Sequence, residues 1–130
     1  MNDCLFCKMI EGKIPAFKVY EDGSYFAFLD IYPRTKGHTL VIPKAHHRWV
    51  YDVPEFGAYW ETVLKITKGI QRALKPEWIN YFTLGEVPHA HIHILPRFEP
   101  LEESEGWPSN SMQIEKEELQ ALTNLISNEL

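Results

Sequence analysis

Three histidines at alternate positions, His89, His91 and His93, stand in the segment His89-Ala90-His91-Ile92-His93-Ile94-Leu95. Successive side chains of a strand point to opposite faces. A strand here would line one face with three imidazoles and pack Ala90, Ile92 and Ile94 into the core behind them. Neighbouring rings would lie roughly 6–7 Å apart, a gap that a phosphate group with its oxygens bridges. A neutral imidazole titrates near working pH, so it can attack phosphorus or carry a proton without extreme tuning. With several in one cleft, one can act as nucleophile while others stabilise charge on phosphoryl oxygens. Metal ligation and a merely polar strand face are the competing readings of the same trio. His38, opening an earlier strand after Pro33 and Gly37, is placed to join them. Asp30, near a strand end, could accept hydrogen bonds from ribose hydroxyls, or simply be solvated.

Both cysteines fall in Cys4-x-x-Cys7. This spacing fits a metal half-site, a redox pair or two small buried thiols. A thioredoxin-type pair follows a strand in a βαβ unit, and none precedes Cys4. Tetrahedral zinc sites commonly mix thiolate with imidazole. The best further donors are one histidine of the pair His46-His47 and one of the trio. A site of Cys4, Cys7, His46 and His89 would pin the N-terminal segment to the sheet as structural zinc.

These side chains need a scaffold, and the chain is long enough to build one. At 130 residues, 45% of them apolar and with four tryptophans, it should be a single globular domain. The apolar runs are short, which predicts no membrane span, and Met1-Asn2-Asp3-Cys4 does not open a secretory signal, so a cytoplasmic location is expected. A net charge of −5 argues against a protein that grips a nucleic-acid polymer by its backbone. It leaves room for a small anion held by local donors.

The pattern predicts a short N-terminal helix from a cap at Asp3 to a stop at Gly12. Strands are expected at 17–20 and 25–31 around the turn Glu21-Asp22-Gly23-Ser24, and at 38–43. The main helix should start at Pro54, with Phe56, Tyr59, Trp60, Val63, Leu64, Ile70 and Leu74 as its apolar stripe. Strands follow at 79–84 and 90–98, joined through Gly85-Glu86-Val87-Pro88. Residues 99–111, around Trp107, read as a surface loop, and 112–130 as a closing helix with Ile114, Leu119, Leu122, Leu125 and Ile126 as its apolar face. The order suggests an α+β domain: about five antiparallel strands with helices on one face. Residues 1–110 would form the domain proper and 111–130 a helical extension packed on it.

The triad segment followed by Pro96-Arg97 resembles the signature of the histidine triad (HIT) family. So do Phe28-Leu29-Asp30-Ile31, the run Gly37-His38-Thr39-Leu40-Val41-Ile42-Pro43-Lys44, and His46. The opening from Cys4 to Ile10, with Ile14-Pro15, is similar to its zinc-carrying microbial branch. The resemblance covers roughly residues 4–98 and implies a HIT-like fold, a homodimer and a nucleotide substrate. It implies that His91 attacks the α-phosphate, that the nucleotidyl-histidine is resolved by water, and that an NMP is released. The substrate would be a nucleoside phosphoramidate or a dinucleoside polyphosphate.

By the same resemblance His93 contacts phosphoryl oxygens or the leaving group, and His38 completes the cluster. The carbonyl of His89 fixes the tautomer of His91, leaving the His89 ring for zinc. Asp30 binds ribose, and Leu5, Phe6, Met9, Ile14, Phe28 and Ile31 line the base pocket. The related uridylyltransferases typically carry Gln at the third histidine, so His93 points to hydrolysis. One departure stands out. Many members carry a longer loop ending Gly-Gln-x-Val before the triad; here it reads Leu84-Gly85-Glu86-Val87-Pro88. Glu86 would take the hydroxyl position and Asn80 that of a phosphate-contacting Asn. The altered loop also keeps open a nucleotide-binding scaffold without useful turnover. A third reading is a hydrolase that uses the trio as catalytic metal ligands.

Overall fold

The structure, a computed structural model, describes residues 3–130. Its strands are β1 (Lys18–Glu21), β2 (Tyr25–Leu29), β3 (Thr39–Pro43), β4 (Trp78–Phe82) and β5 (Ile92–Arg97). Its α-helices are α1 (Leu5–Ile10), α2 (Phe56–Leu74) and α3 (Lys116–Ser127), with short 3-10 turns at Val50–Asp52 and Leu101–Glu103. The strands form one sheet in the order β1-β2-β3-β5-β4, each pair antiparallel. The α+β class and the single domain are as the sequence led us to expect.

Strand alternation sorts the side chains. Ala27, Leu29, Val41, Ile92 and Ile94 join Tyr59, Val63, Ile66 and Ile70 of α2 and Leu119, Leu122 and Ile126 of α3 in the main core. Burying such a side chain contributes about 1.5–3 kcal/mol each. Phe26, Phe28, Leu40 and Ile42 face the other way, under Cys4 and Phe6 of the N-terminal segment. Leu40 is paired across the ladder with His93, and His93 with Phe82 on the far side. The expectation of helices on one face only is thus not met: α1 covers the face opposite the two long helices, and the chemistry lies on the α1 side.

Several boundaries differ from the sequence pattern. The cap of α1 is Cys4 rather than Asp3, its Sγ accepting from the Cys7 N–H at 3.4 Å. The Asp30 N–H still reaches across to the His38 carbonyl (3.0 Å), but its carboxylate accepts from the Tyr32 N–H (2.8 Å), and this turn ends β2 at Leu29. β5 starts at Ile92, not Ala90: the N–H of Ala90 goes to the His47 carbonyl (2.7 Å), and the His89 carbonyl accepts from the His91 imidazole two residues on. β4 stops at Phe82. α2 starts at Phe56, since Glu55 takes a left-handed backbone (φ 55°) that a helix cannot continue through. Phe56 and Leu64 of the expected stripe face outward, and Ile66 and Thr67 take the buried side. α3 starts at Lys116, because the Met112 N–H is held by the Pro33 carbonyl (2.7 Å) and keeps the preceding residues in loop form. Leu125, placed by pattern on the apolar face, is exposed.

Gly37 sets up the entry to β3. Its φ of 86° is left-handed, and an added Cβ would come within 2.6 Å of Leu74 Cδ1, so only glycine fits there. Among the described residues no helix is long and apolar enough to cross a membrane.

Candidate active site

Four donor atoms converge where α1 meets the sheet. Cys4 Sγ lies 3.3 Å from His89 Nδ1, and Cys7 Sγ lies 3.4 Å from His46 Nδ1 and 3.5 Å from His89 Nδ1. All four atoms fall within 4.8 Å of one another. Tetrahedral zinc with its usual bond lengths places donors about 3.3–3.8 Å apart, so the set fits. The tautomer fits as well: His89 Nε2–H donates to the Pro43 carbonyl at 2.8 Å, leaving Nδ1 as the free lone pair. Burial and the neighbouring Cys4 push the Cys7 thiol up to about 11, the opposite of what a cation would do. Of the histidine pair it is the His46 ring that turns to the thiols, while the His47 carbonyl is engaged by Ala90.

The His89 carbonyl accepts a hydrogen bond from His91 Nδ1 at 2.8 Å. The proton of His91 is therefore fixed on Nδ1, and the Nε2 lone pair is free for attack. Burial holds His91 below the ordinary imidazole value, opposed in part by the carboxylates of Glu86 and Asp30. Phe6 packs edge-on against this ring at 5.3 Å.

A second chain of bonds fixes His38 and His93. The Arg34 N–H donates to His38 Nδ1 (3.1 Å), so the His38 proton sits on Nε2, which donates to His93 Nδ1 (2.8 Å). The His93 proton must then sit on Nε2. That atom is buried and has no hydrogen-bond partner among the described residues. Burial depresses both rings, His38 to about 3 and His93 to about 2, so they are neutral. Asp30 Oδ2 approaches His38 Nε2 at 3.7 Å, and burial raises its carboxyl above the usual range. Asp30, His38 and His93 thus cluster as a metal triad could. The proton on His38 Nε2 argues against metal there.

His91 and His93 open into a cavity of about 810 Å³. Leu5, Phe6, Met9, Ile14, Phe28 and Ile31 line its apolar part, and Asp30 and Glu86 line it as well. The expectation for Asn80 is not met. Its Oδ1 accepts from Arg97 (2.7 Å), and it is not among the residues lining the cavity: β4 places it two residues before Phe82, opposite Leu95 rather than a histidine.

A sequence model of the HIT domain matches residues 11–100. The chain belongs to the HIT family. A HIT-like protein of Borreliella burgdorferi is 41% identical over 98% of each chain. An adenosine 5'-monophosphoramidase of Schizosaccharomyces pombe is 38% identical, again over 98% of each. Among solved structures, a HIT-like protein from Bartonella henselae superposes with a TM-score of 0.86 at 33% identity, covering 100% of this chain and 98% of the other. A zinc-bound histidine triad protein from Mycobacterium smegmatis gives 0.77 at 29% identity, with 98% and 95% covered. The Borreliella alignment runs over 142 positions, more than the 130 residues here, so some of its gaps fall in this HIT chain.

Some site residues of this HIT domain carry no motif in the sequence. Phe82 stacks flat on His93, ring centroids 4.1 Å apart. Trp107 stands edge-on to Phe82 at 4.8 Å, and Arg34 lies beside both. Arg97 holds this outer loop through Glu99, Ser104 and Gly106. The sequence offers little signal for them beyond Trp107 standing alone in a polar, acidic loop.

Proposed function

We propose that this chain is a nucleotide hydrolase that cleaves at the α-phosphorus of a nucleoside phosphoramidate or dinucleoside polyphosphate and releases an NMP. The observation that carries the reading is the His91 Nδ1 to His89 carbonyl bond, which commits the Nε2 lone pair to the cavity. The base would lie in the apolar part of the cavity, with the ribose hydroxyls on Asp30. His91 Nε2 attacks the α-phosphorus, and the bond to the leaving group breaks with its electron pair; a phosphate departs as the anion, and an amine departs after taking a proton from solvent. The unpartnered His93 Nε2–H donates to a phosphoryl oxygen as negative charge builds there. Water then cleaves the N–P bond and returns His91 to its neutral form.

Cys4, Cys7, His46 and His89 would hold zinc, which supplies structural rigidity behind the nucleophile. A homodimer is part of the same reading: β4 is an edge strand, and Tyr81 on it and Phe56 nearby in α2 are exposed.

The test is rapid-quench mass spectrometry during turnover of AMP phosphoramidate and diadenosine polyphosphate. A nucleotidyl adduct on residue 91 is expected, with His91→Ala losing at least about 10³-fold in kcat. Normal hydrolysis with no adduct would remove the nucleophile. The short connection between β4 and β5, with Glu86 at the cavity, favours a second reading: a nucleotide-binding protein without turnover. Tight binding of AMP with no product after long incubation would select it.

A further inference from the structure

One end of the cavity is not used by the chemistry above. Across the sheet the apolar lining of α1 and β2 comes first and His91 and His93 next; beyond them the cavity is lined by Arg34, with Phe82 of β4 stacked on the His93 ring. At that far end the Arg34 guanidinium lies 5.8 Å from the Phe82 ring centre and 5.9 Å from that of Trp107. Ser109 and Ser111 line the cavity there with Arg34. One Arg34 nitrogen touches the carbonyls of Pro108 and Ser109 at 3.4 Å each, and Arg34 pairs with no carboxylate among the described residues. Its charge is felt by His38 and His93, whereas Glu86 acts on His91.

A half-buried guanidinium without a counter-ion, in a stretch of wall that also includes Ser109 and Ser111, is suited to an oxyanion such as a phosphate. We propose that Arg34, with Ser109 and Ser111, forms a subsite for an anionic group joined to the α-phosphorus. The enzyme would then favour substrates whose leaving group is itself a phosphate over those that release an amine. The consequence for turnover rests on the hydrolase reading; the subsite itself is a matter of binding. In the favoured reaction the bond from His91 Nε2 to phosphorus forms and the bridging P–O bond breaks. The electron pair stays on the departing phosphate oxygen, and the added negative charge develops within reach of Arg34. No proton has to be delivered to that leaving group, unlike an amine. The subsite is thus assembled from the β2–β3 connection, which carries Arg34, and the loop that follows β5, which carries Ser109 and Ser111.

Calorimetry on His91→Asn, which cannot form the adduct, separates binding from turnover. ADP is expected to bind at least about tenfold tighter than AMP, the scale of a hydrogen bond to a charged group. Adding Arg34→Gln should collapse the ratio toward one, and Arg34→Lys should restore part of it. An unchanged ratio, or equal loss of AMP and ADP binding, would overturn the subsite. In otherwise native protein, Arg34→Gln should lower the ratio of kcat/KM for diadenosine polyphosphate to that for AMP phosphoramidate at least about tenfold. If neither substrate turns over while the ADP preference still depends on Arg34, the hydrolase reading fails and the subsite stands. If both turn over and the ratio does not move, the subsite fails and the hydrolase stands.

Discussion

His38 Nε2 and His93 Nδ1 lie 2.8 Å apart, and the Arg34 N–H on the far side of His38 fixes the direction of the proton between them. Both rings stay neutral far below their ordinary value of 6.5, and His91 is held below it as well. Attack by a neutral His91 should therefore give a kcat/KM that is flat above about pH 7. Its acid limb should have a midpoint below 6.5. A midpoint at or above that value, in a pH–rate profile of the intact enzyme, would contradict the assignment.

The same pair makes a stability prediction whose sign follows from linkage. Unfolded, these rings take up protons near 6.5; folded, only near 3 and 2. The unfolded chain binds more protons throughout that window, so stability is full above 6.5 and falls as the pH drops through it toward the folded values. Thermal melts between pH 7.5 and 5 should show a declining Tm, with a shallower decline in His38→Gln.

Zinc should co-purify in stoichiometric amount and be lost in the double variant Cys4→Ser, Cys7→Ser. Structural zinc contributes about 10–16 kcal/mol in small metal-folded peptides; with a separate core already present, a Tm loss of roughly 10 °C is the expected scale. Added Mg²⁺ should not restore turnover to chelated enzyme. Full recovery with Mg²⁺ would instead favour a catalytic ion.

Asp30→Ala should raise KM for ribonucleotide substrates roughly 10- to 100-fold, the range for hydrogen bonds to a charged group. A substrate lacking both ribose hydroxyls should be affected far less. Equal losses on the two would mean that Asp30 acts through His38, 3.7 Å away, rather than through the sugar.

Local pattern was a good guide wherever side-chain period and burial agree. The alternation of His89, His91 and His93 with Ala90, Ile92 and Ile94 is realised as one chemical face and one core face, even though only His93 of the three sits inside β5. The cluster of Cys4, Cys7, His46 and His89 was legible because its ligand types are few and distinctive. Arg34, Phe82 and Trp107 were not. They meet through the pairing of β4 with β5 and through the return of a long loop, contacts with no local spacing to announce them. Asn80 failed for a related reason: its type suited a phosphate, but Arg97, seventeen residues on, takes its oxygen.

The interleaving of imidazole and aliphatic side chains between residues 89 and 95 has a consequence for how this segment can change. Deleting or inserting one residue would swing every member through half a turn, driving Ile92 and Ile94 into the cavity and the histidines into the oily interior beneath α2. Such a frame shift would cost the fold before it cost the activity. The connection at 83–88 has no such alternation, so a change of length there would not by itself exchange the two faces of the segment that follows.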